Sequence, residues 1–203
     1  MNKIIHKLFP SPVFQFKVDN FENLNKQLCD YIYGLKKDDE KGIQKSNVNG
    51  WHSKNFKIEK DNVPYNFVKA IHEHVKEVIV DGYGWKYIPE KVGISEIWAI
   101  INKKGTFNQS HNHPGSYLSA AYYVKAPENC GNIHFYEPNE VKKFQTPPVE
   151  KMTELSSTGF SIKPEEGNLL IFPSYLYHDV GKSLSDEDRV VISFNVSILP
   201  IKK

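Results

Sequence analysis

The second half of the chain consists of short apolar segments separated by proline and glycine, and this pattern limits the folds that it can adopt. The turn at Asp81–Gly84 ends a helical pattern, and eight short strands are predicted after it. They are placed at 85–88, 93–102, 116–124, 131–136, 159–163, 168–172, 177–181 and 189–198. Many short strands at this spacing favour a sandwich or barrel over a parallel α/β sheet. An aromatic content of 13% suits a β-rich core filled by rings.

The residues before this region predict one strand and two helices. Residues 13–18 alternate polar and apolar side chains, as in a strand with one buried face. Residues 20–37 carry apolar side chains at helical spacing. A second segment with this spacing begins at a cap, Asp61 or Asn62, and ends near Val80. Two helices are therefore expected to precede the strands.

Composition excludes several classes of protein. A formal net charge of +2 with interspersed acids and bases predicts no nucleic-acid or membrane-binding surface. Cys29 and Cys130 provide no disulfide framework. No signal peptide is visible because His6 and Lys7 interrupt the apolar start, and no segment reaches transmembrane length. The cytoplasm is the expected compartment.

Two histidines at positions i and i+2, His111 and His113, indicate a metal site. If this segment is extended, both side chains leave the same face, because strand residues alternate sides. Two neutral imidazole nitrogens on one face can hold a divalent transition metal. His178 is the candidate third ligand, and Arg189 opens the strand that follows. This layout favours an enzyme that binds iron and a dicarboxylate, although for any one of the histidines a structural polar role would be the better interpretation.

Several motifs occur in a fixed order along nearly the whole chain. They are Ser46-Asn47-x-x-Gly50-Trp51-x-Ser53, His111-x-His113, Leu118–Val124, Leu169–Ser174, His178-x-Val180 and Arg189–Val196. In this ordered set the sequence resembles the iron(II)/2-oxoglutarate-dependent oxygenases, in particular a group of small oxygenases from bacteria and bacteriophages. The resemblance implies a mainly β (α+β) fold with a double-stranded β-helix, a cupin-like jelly roll. It implies one domain over residues 1–203, in which the strand and helices of 1–90 brace a jelly-roll core at 91–203.

The resemblance also implies roles for individual residues. His111 and His178 match the family's metal histidines, and Arg189 matches the residue that pairs with the far carboxylate of 2-oxoglutarate. Arginine suits this role because its planar fork meets a carboxylate with two parallel hydrogen bonds. Ser193 lies four residues later on the same strand face and could bind the same carboxylate. Tyr123 and Asn102 fall where further cosubstrate contacts are usual.

His113 departs from the family pattern, because the usual first motif is His-x-Asp or His-x-Glu. Three interpretations are open. His113 is itself the third iron ligand, or a carboxylate such as Glu137 replaces it, or water takes the position while His113 supports the metal ligands or contacts the substrate. A three-histidine site carries one less negative charge, so the affinity for iron and its redox tuning would differ.

The expected function is that of an iron(II)/2-oxoglutarate-dependent dioxygenase. It would hydroxylate an unidentified substrate with O2 while 2-oxoglutarate is decarboxylated to succinate and CO2. A peptide side chain, a nucleotide or a small metabolite would each fit, since loops such as 42–55 and 138–158 select the substrate in this fold. The 138–158 segment is either a lid or a proline-flanked linker. The alternatives are a cupin-like metalloenzyme that does not use 2-oxoglutarate and a non-catalytic jelly-roll binding module.

Four other ring residues are expected to have structural roles. Trp51 is predicted to pack under its loop, with a position at a pocket rim as the alternative. Trp98 is assigned to packing only. His52 has no partner at metal spacing, and His134 is expected to be an exposed or hydrogen-bonded strand residue.

Overall fold

The computed structural model describes residues 3–145 and 147–198. Within these residues, eleven strands form two antiparallel sheets. The strands are β1 (Phe14–Lys17), β2 (Asn47–Val48), β3 (Trp51–His52), β4 (Val92–Asn102), β5 (Phe107–His111), β6 (Leu118–Lys125), β7 (Ile133–Tyr136), β8 (Gly159–Ile162), β9 (Asn168–Pro173), β10 (His178–Val180) and β11 (Arg189–Ile198). The α-helices are α1 (Phe21–Asp38), α2 (Val63–Glu77) and α3 (Glu140–Phe144), with a π-helical turn at Val78–Gly82 and a 3₁₀ turn at Pro89–Lys91.

The two sheets face each other across an apolar layer. The larger sheet has the order β1-β9-β6-β11-β4-β3, and the smaller has the order β2-β5-β10-β7-β8. Tyr123 and Val191 of the larger sheet pack in one buried cluster with Ile133 and Phe135 of the smaller sheet. Two facing antiparallel sheets joined in this order confirm the mainly β, jelly-roll core that the sequence predicts.

Helices α1 and α2 cover the other face of the larger sheet. Leu28 and Ile32 of α1 and Phe67 and Ile71 of α2 are fully buried there against β4, β6 and β11. Asn62 caps α2, since its side chain accepts a hydrogen bond from the Tyr65 backbone N–H. The predicted bracing helices are therefore confirmed, and they support the outside of the sheet that carries Arg189.

Several segments differ from the sequence prediction, among them the 42–55 loop, which contains the two-residue strands β2 and β3. Residues 85–88 form no strand, and the Trp85 N–H instead bonds the Ile79 carbonyl at 2.8 Å at the end of the π-helical turn. Strand β5 was not predicted, although it carries His111. The 138–158 segment contains the short helix α3.

No helix among the described residues combines the length and apolarity needed to cross a bilayer.

Candidate metal and cosubstrate site

Strand pairing brings the three histidines together. His111 at the end of β5 is the direct cross-strand partner of His178 at the start of β10, and their ring centroids are 4.4 Å apart. His113 follows β5, where its N–H bonds the Ser174 carbonyl at 2.9 Å. One ligand atom from each histidine lies within 4.8 Å of the other two. The three histidines that the sequence predicts as a metal site therefore converge in the structure.

Backbone carbonyls fix the orientation of two of these rings. His111 Nδ1 lies 2.7 Å from the Gln109 carbonyl, and His178 Nδ1 lies 2.9 Å from the Leu176 carbonyl. A carbonyl only accepts, so each Nδ1 carries the hydrogen and each Nε2 keeps its lone pair. This is the usual arrangement of a metal-binding histidine, in which the second ring nitrogen is anchored.

Burial keeps the three imidazoles neutral. Desolvation lowers the pKa of His178 to about 3 and that of His113 to about 4, with His111 adding to both effects. The pKa of His111 is lowered by the same cause. A neutral imidazole is the form that binds a metal. Three neutral nitrogen donors at this separation fit a divalent transition ion such as iron(II).

Among the described residues, no carboxylate joins the three histidines in a metal-binding group. The Glu137 carboxylate instead bonds Lys142 Nζ at 2.6 Å. Asp179 follows His178, but its carboxylate bonds His134 at 2.7 Å and also Tyr136. His134 is therefore a hydrogen-bonded strand residue, as predicted. The group that could hold a metal therefore consists of three histidine nitrogens, and Glu137 does not replace His113 in it.

Arg189, at the start of β11, is a buried cation. Its side chain is 2% exposed, and burial lowers the pKa of its guanidinium. Nη1 donates to the Gly131 carbonyl at 3.1 Å and Nη2 to Asn102 Oδ1 at 2.9 Å. Within residues 3–145 and 147–198, Nε has no hydrogen-bond partner and no carboxylate forms an ion pair with Arg189. A buried charge without a counter-ion is costly, so this geometry fits an anionic ligand.

Asn102 lies behind Arg189. It is fully buried, is the cross-strand partner of Arg189, and also donates from Nδ2 to Thr106 Oγ1 at 3.0 Å. It does not contribute to the cavity wall. The structure thus shows Asn102 positioning the guanidinium, while its direct contact with a cosubstrate stays a prediction.

The histidines and Arg189 line one cavity of about 650 Å³. The inward face of β11 presents Arg189, Val191, Ser193 and Asn195 to this space, as the alternation of strand side chains requires. Tyr123 of β6 also lines it, and burial raises the pKa of its hydroxyl to about 12, against the opposing effect of Arg189. The hydroxyl therefore remains a hydrogen-bond donor at neutral pH.

Trp98 is more than a packing residue, which corrects the sequence assignment. Its ring lies on the cavity wall, 5.8 Å from the His113 ring and 5.6 Å from the His52 ring. Glu96 and Ile100 on the same strand face also line the cavity. The alternation of these residues with the apolar positions between them was the signal available in the sequence.

The 42–55 loop supplies part of the cavity wall, including Ser46 and His52. His52 is buried, its Nδ1 lies 2.6 Å from the Ser53 carbonyl, and it is not part of the metal-binding group, as expected. Trp51 packs in the core and donates from Nε1 to the Asp39 carbonyl at 2.8 Å, which confirms its predicted role. None of the described residues of 138–158 lines the cavity.

Comparison with known proteins supports this geometry. The model of a family described as "Putative 2OG-Fe(II) oxygenase" matches residues 96–195, which run from β4 to β11. This range includes the three histidines, Arg189 and every other residue that the sequence assigns to the site. A search of curated proteins finds no match.

Similar solved structures include a prolyl-4-hydroxylase from Pseudomonas putida, with 12% identity, a TM-score of 0.65 and 94% of each chain covered. Another is the collagen prolyl hydroxylase of Paramecium Bursaria Chlorella virus-1 in complex with 2OG. It has 14% identity and a TM-score of 0.58, with 92% of this chain and 97% of the viral chain covered. A third is HygX from Streptomyces hygroscopicus with nickel and 2-oxoglutarate bound. It has 10% identity and a TM-score of 0.62, with 93% of this chain and 83% of HygX covered.

At these identities the solved structures establish the fold, and the family match covers the strands that carry the site. The family match assigns residues 96–195, which carry the three histidines and Arg189, to the iron(II)/2-oxoglutarate-dependent oxygenases.

Proposed function

We propose that the protein hydroxylates a C–H bond of its substrate while 2-oxoglutarate is oxidatively decarboxylated to succinate and CO2. One observation carries the proposal: three neutral imidazoles and a buried, unpaired guanidinium line the same cavity. The histidines match the requirements of a divalent metal, and the guanidinium matches those of a carboxylate.

In this proposal His111, His113 and His178 hold iron(II). Bound iron(II) and 2-oxoglutarate together supply the chemistry that activates O2 for the oxidation. The two Nδ1–carbonyl hydrogen bonds keep the Nε2 atoms of His111 and His178 directed away from the backbone carbonyls. The protein contributes fixed ligand positions and a partly enclosed cavity that limits water.

Arg189 is proposed to bind the carboxylate of 2-oxoglutarate that is remote from the metal. Asn102 and the Gly131 carbonyl already hold two sides of the guanidinium, so a ligand meets an oriented group. Ser193 and Tyr123 line the same cavity as Arg189 and have hydroxyls that can donate to this carboxylate.

The test is the formation of succinate and CO2 by purified protein reconstituted with iron(II) under air. We expect slow turnover of 2-oxoglutarate even without the substrate, and its loss in a His178→Ala variant. Calorimetry of 2-oxoglutarate binding to the Mn(II)-loaded protein gives a readout that does not need turnover. If the wild-type protein neither binds 2-oxoglutarate nor forms succinate, the proposal is contradicted.

A second candidate is a metalloenzyme that acts on a metal-bound substrate without 2-oxoglutarate. The observation in its favour is the group of three histidines without a carboxylate among the described residues. Arg189→Ala separates the two candidates. The oxygenase proposal expects selective loss of 2-oxoglutarate affinity with the metal retained, whereas the second candidate expects no selective loss.

A further inference from the structure

A carboxylate lies on the wall of the same cavity, apart from the groups assigned to metal and cosubstrate. Glu96 of β4 lines the cavity next to Trp98 and is open to solvent. Within the described part of the chain, no basic side chain forms an ion pair with it. An acidic side chain at an inward position of a jelly-roll strand is thus available to a ligand.

A buried chain of hydrogen bonds holds this carboxylate in place. Asn195, directly opposite on β11, donates from Nδ2 to Glu96 Oε2 at 2.9 Å. Asn195 Oδ1 accepts from Ser119 Oγ at 2.9 Å, and Ser119 Oγ lies 2.8 Å from Ser174 Oγ. Because the amide oxygen already accepts a hydroxyl hydrogen, the amide nitrogen faces the carboxylate. Glu96 is therefore preorganised, unlike a freely rotating surface residue.

A β-bulge turns Glu96 toward the cavity. In the β4–β11 pairing Asn195 faces Glu96, but the next residue, Val196, faces Ile94, so Ser95 is the extra residue. Ile94 and Ile97 both pack on the helix side of the sheet, although regular alternation would place them on opposite sides. Without the bulge, Glu96 would share the side of Ile94. Bulges commonly redirect a side chain next to a functional site.

Trp98 connects Glu96 to the metal site. It is the next residue on the same strand face, and its ring lies 5.8 Å from the His113 ring. A ligand held at Glu96 can therefore place an aliphatic segment along Trp98 toward the histidines. Lys45 also lies on the cavity wall, but its side chain is exposed and forms no ion pair among the described residues.

We propose that Glu96 binds a cationic group of the substrate, an ammonium or a guanidinium, and directs its aliphatic part along Trp98 toward the metal histidines. The inference rests on the proposed function, since it assumes that the substrate enters this cavity. Carboxylates bind cationic donors more strongly than neutral ones, and a preorganised carboxylate in a partly enclosed cavity favours this discrimination.

The test compares n-butylamine with n-butanol, two probes of similar shape that differ in charge. Each is titrated into the protein loaded with Mn(II) and 2-oxoglutarate without O2, and the paramagnetic relaxation of the probe protons is measured. The wild-type protein is expected to bind butylamine more tightly than butanol. Glu96→Gln, which keeps an acceptor for Asn195, is expected to weaken butylamine binding by about tenfold and to leave butanol binding unchanged.

Lys45→Gln is the matched control, because it changes a charged residue of the same cavity wall that is assigned to neither the metal nor 2-oxoglutarate. It is expected to leave butylamine binding unchanged or slightly tighter, since a like charge is removed. Equal binding of the two probes to the wild-type protein would overturn the inference. So would an amine preference that survives in Glu96→Gln. Loss of Mn(II) instead of amine affinity in Glu96→Gln would show that Glu96 serves the metal ligands through Asn195.

Failure of the proposed function has a different signature. In that case the wild-type protein takes up neither Mn(II) nor 2-oxoglutarate. The metal-free protein titrated with the two probes and followed by tryptophan fluorescence then tests the Glu96 subsite by itself, because Trp98 lies beside it. An amine preference there supports the subsite, and its absence overturns it.

Discussion

His113 is the residue at which the sequence differs from the His-x-Asp or His-x-Glu motif that the resemblance implies. Its ring lies 5.2 Å from that of His178 and 5.1 Å from that of His111, so it is close enough to share a metal ion with them. An imidazole there makes the ligand set neutral, where the family's acid would contribute one negative charge. We therefore expect the site to tolerate a carboxylate at this position.

In a His113→Asp variant, the affinity for Mn(II) or iron(II) is expected to be retained or increased, since a carboxylate is also a ligand for these ions. His113→Ala is expected to lower the affinity at least about tenfold, the loss typical even for groups that only support a ligand. Calorimetric titration of the metal measures both. Unchanged affinity in His113→Ala would show that His113 is not a ligand.

The buried histidines also predict how stability depends on pH. In the metal-free folded protein the pKa of His113 is about 4 and that of His178 about 3, whereas an unfolded imidazole titrates near about 6.5. Between these values the unfolded chain binds more protons, so the free energy of unfolding falls as pH falls below about 6.5. We expect a loss of roughly 1 kcal/mol per histidine between pH 7.5 and 5.5.

Urea denaturation of the metal-free protein across this pH range measures the effect. His113→Asn, which removes one of the three buried histidines whose pKa is lowered, is expected to show a shallower dependence. Stability that stays constant from pH 7.5 to 5.5 in the wild-type protein would mean that these rings are not buried as neutral groups.

At the scale of elements, turns between strands position the site as much as the strands do. The turn between β6 and β7 contains Gly131, which has a φ of 89° and whose carbonyl accepts from Arg189. A Cβ at Gly131 would collide with the carbonyl of Gly181, where the chain leaves β10. Only glycine satisfies both the conformation and this close approach.

Gly131→Ala is therefore expected to destabilise the protein by more than the roughly 1 kcal/mol that a positive φ costs alanine, and to weaken 2-oxoglutarate binding. Gly84→Ala is the matched control. Gly84 also has a positive φ, 64°, but a Cβ at this residue would meet no atom within 4 Å. Equal destabilisation of the two variants, measured in urea, would contradict the role given to the Gly131–Gly181 contact.

At the scale of the whole molecule, the cavity joins residues from both sheets. His111 and His178 belong to the smaller sheet, whereas Arg189, Ser193 and Tyr123 belong to the larger. Ligands that contact both groups should stabilise the folded molecule against the unfolded chain, which has no such site.

Mn(II) and 2-oxoglutarate are each expected to raise the melting temperature. A ligand at a hundred times its Kd adds about 2.7 kcal/mol to the free energy of unfolding. In Arg189→Ala the increment from Mn(II) should persist and the increment from 2-oxoglutarate should disappear. Differential scanning fluorimetry with the ligands added singly and together measures this. An equal loss of both increments would indicate general damage to the fold.

Much of the element pattern could be predicted from the sequence, because it depends on local rules. Alternation placed β1 and β11, helical spacing placed α1 and α2, and the side chain of Asn62 marked the start of α2. The i and i+2 spacing of His111 and His113 and the four-residue spacing of Arg189 and Ser193 express the same strand geometry. These patterns depend on residues that are close together in the chain, so they can be recognised in the sequence alone.

Only the tertiary structure determined which side chains face one another across the strands and the cavity. Three contacts are examples: His111 pairs with His178, Glu137 forms an ion pair with Lys142, and Asn102 accepts a hydrogen bond from Arg189. Each of them joins residues that are distant in the chain or depends on side-chain rotamers. The side chain of Glu96 faces the cavity because of a β-bulge that no local sequence pattern predicts. Residue types and periodicity thus determined the strands and the candidate ligands, whereas strand register and packing determined which side chains share the cavity.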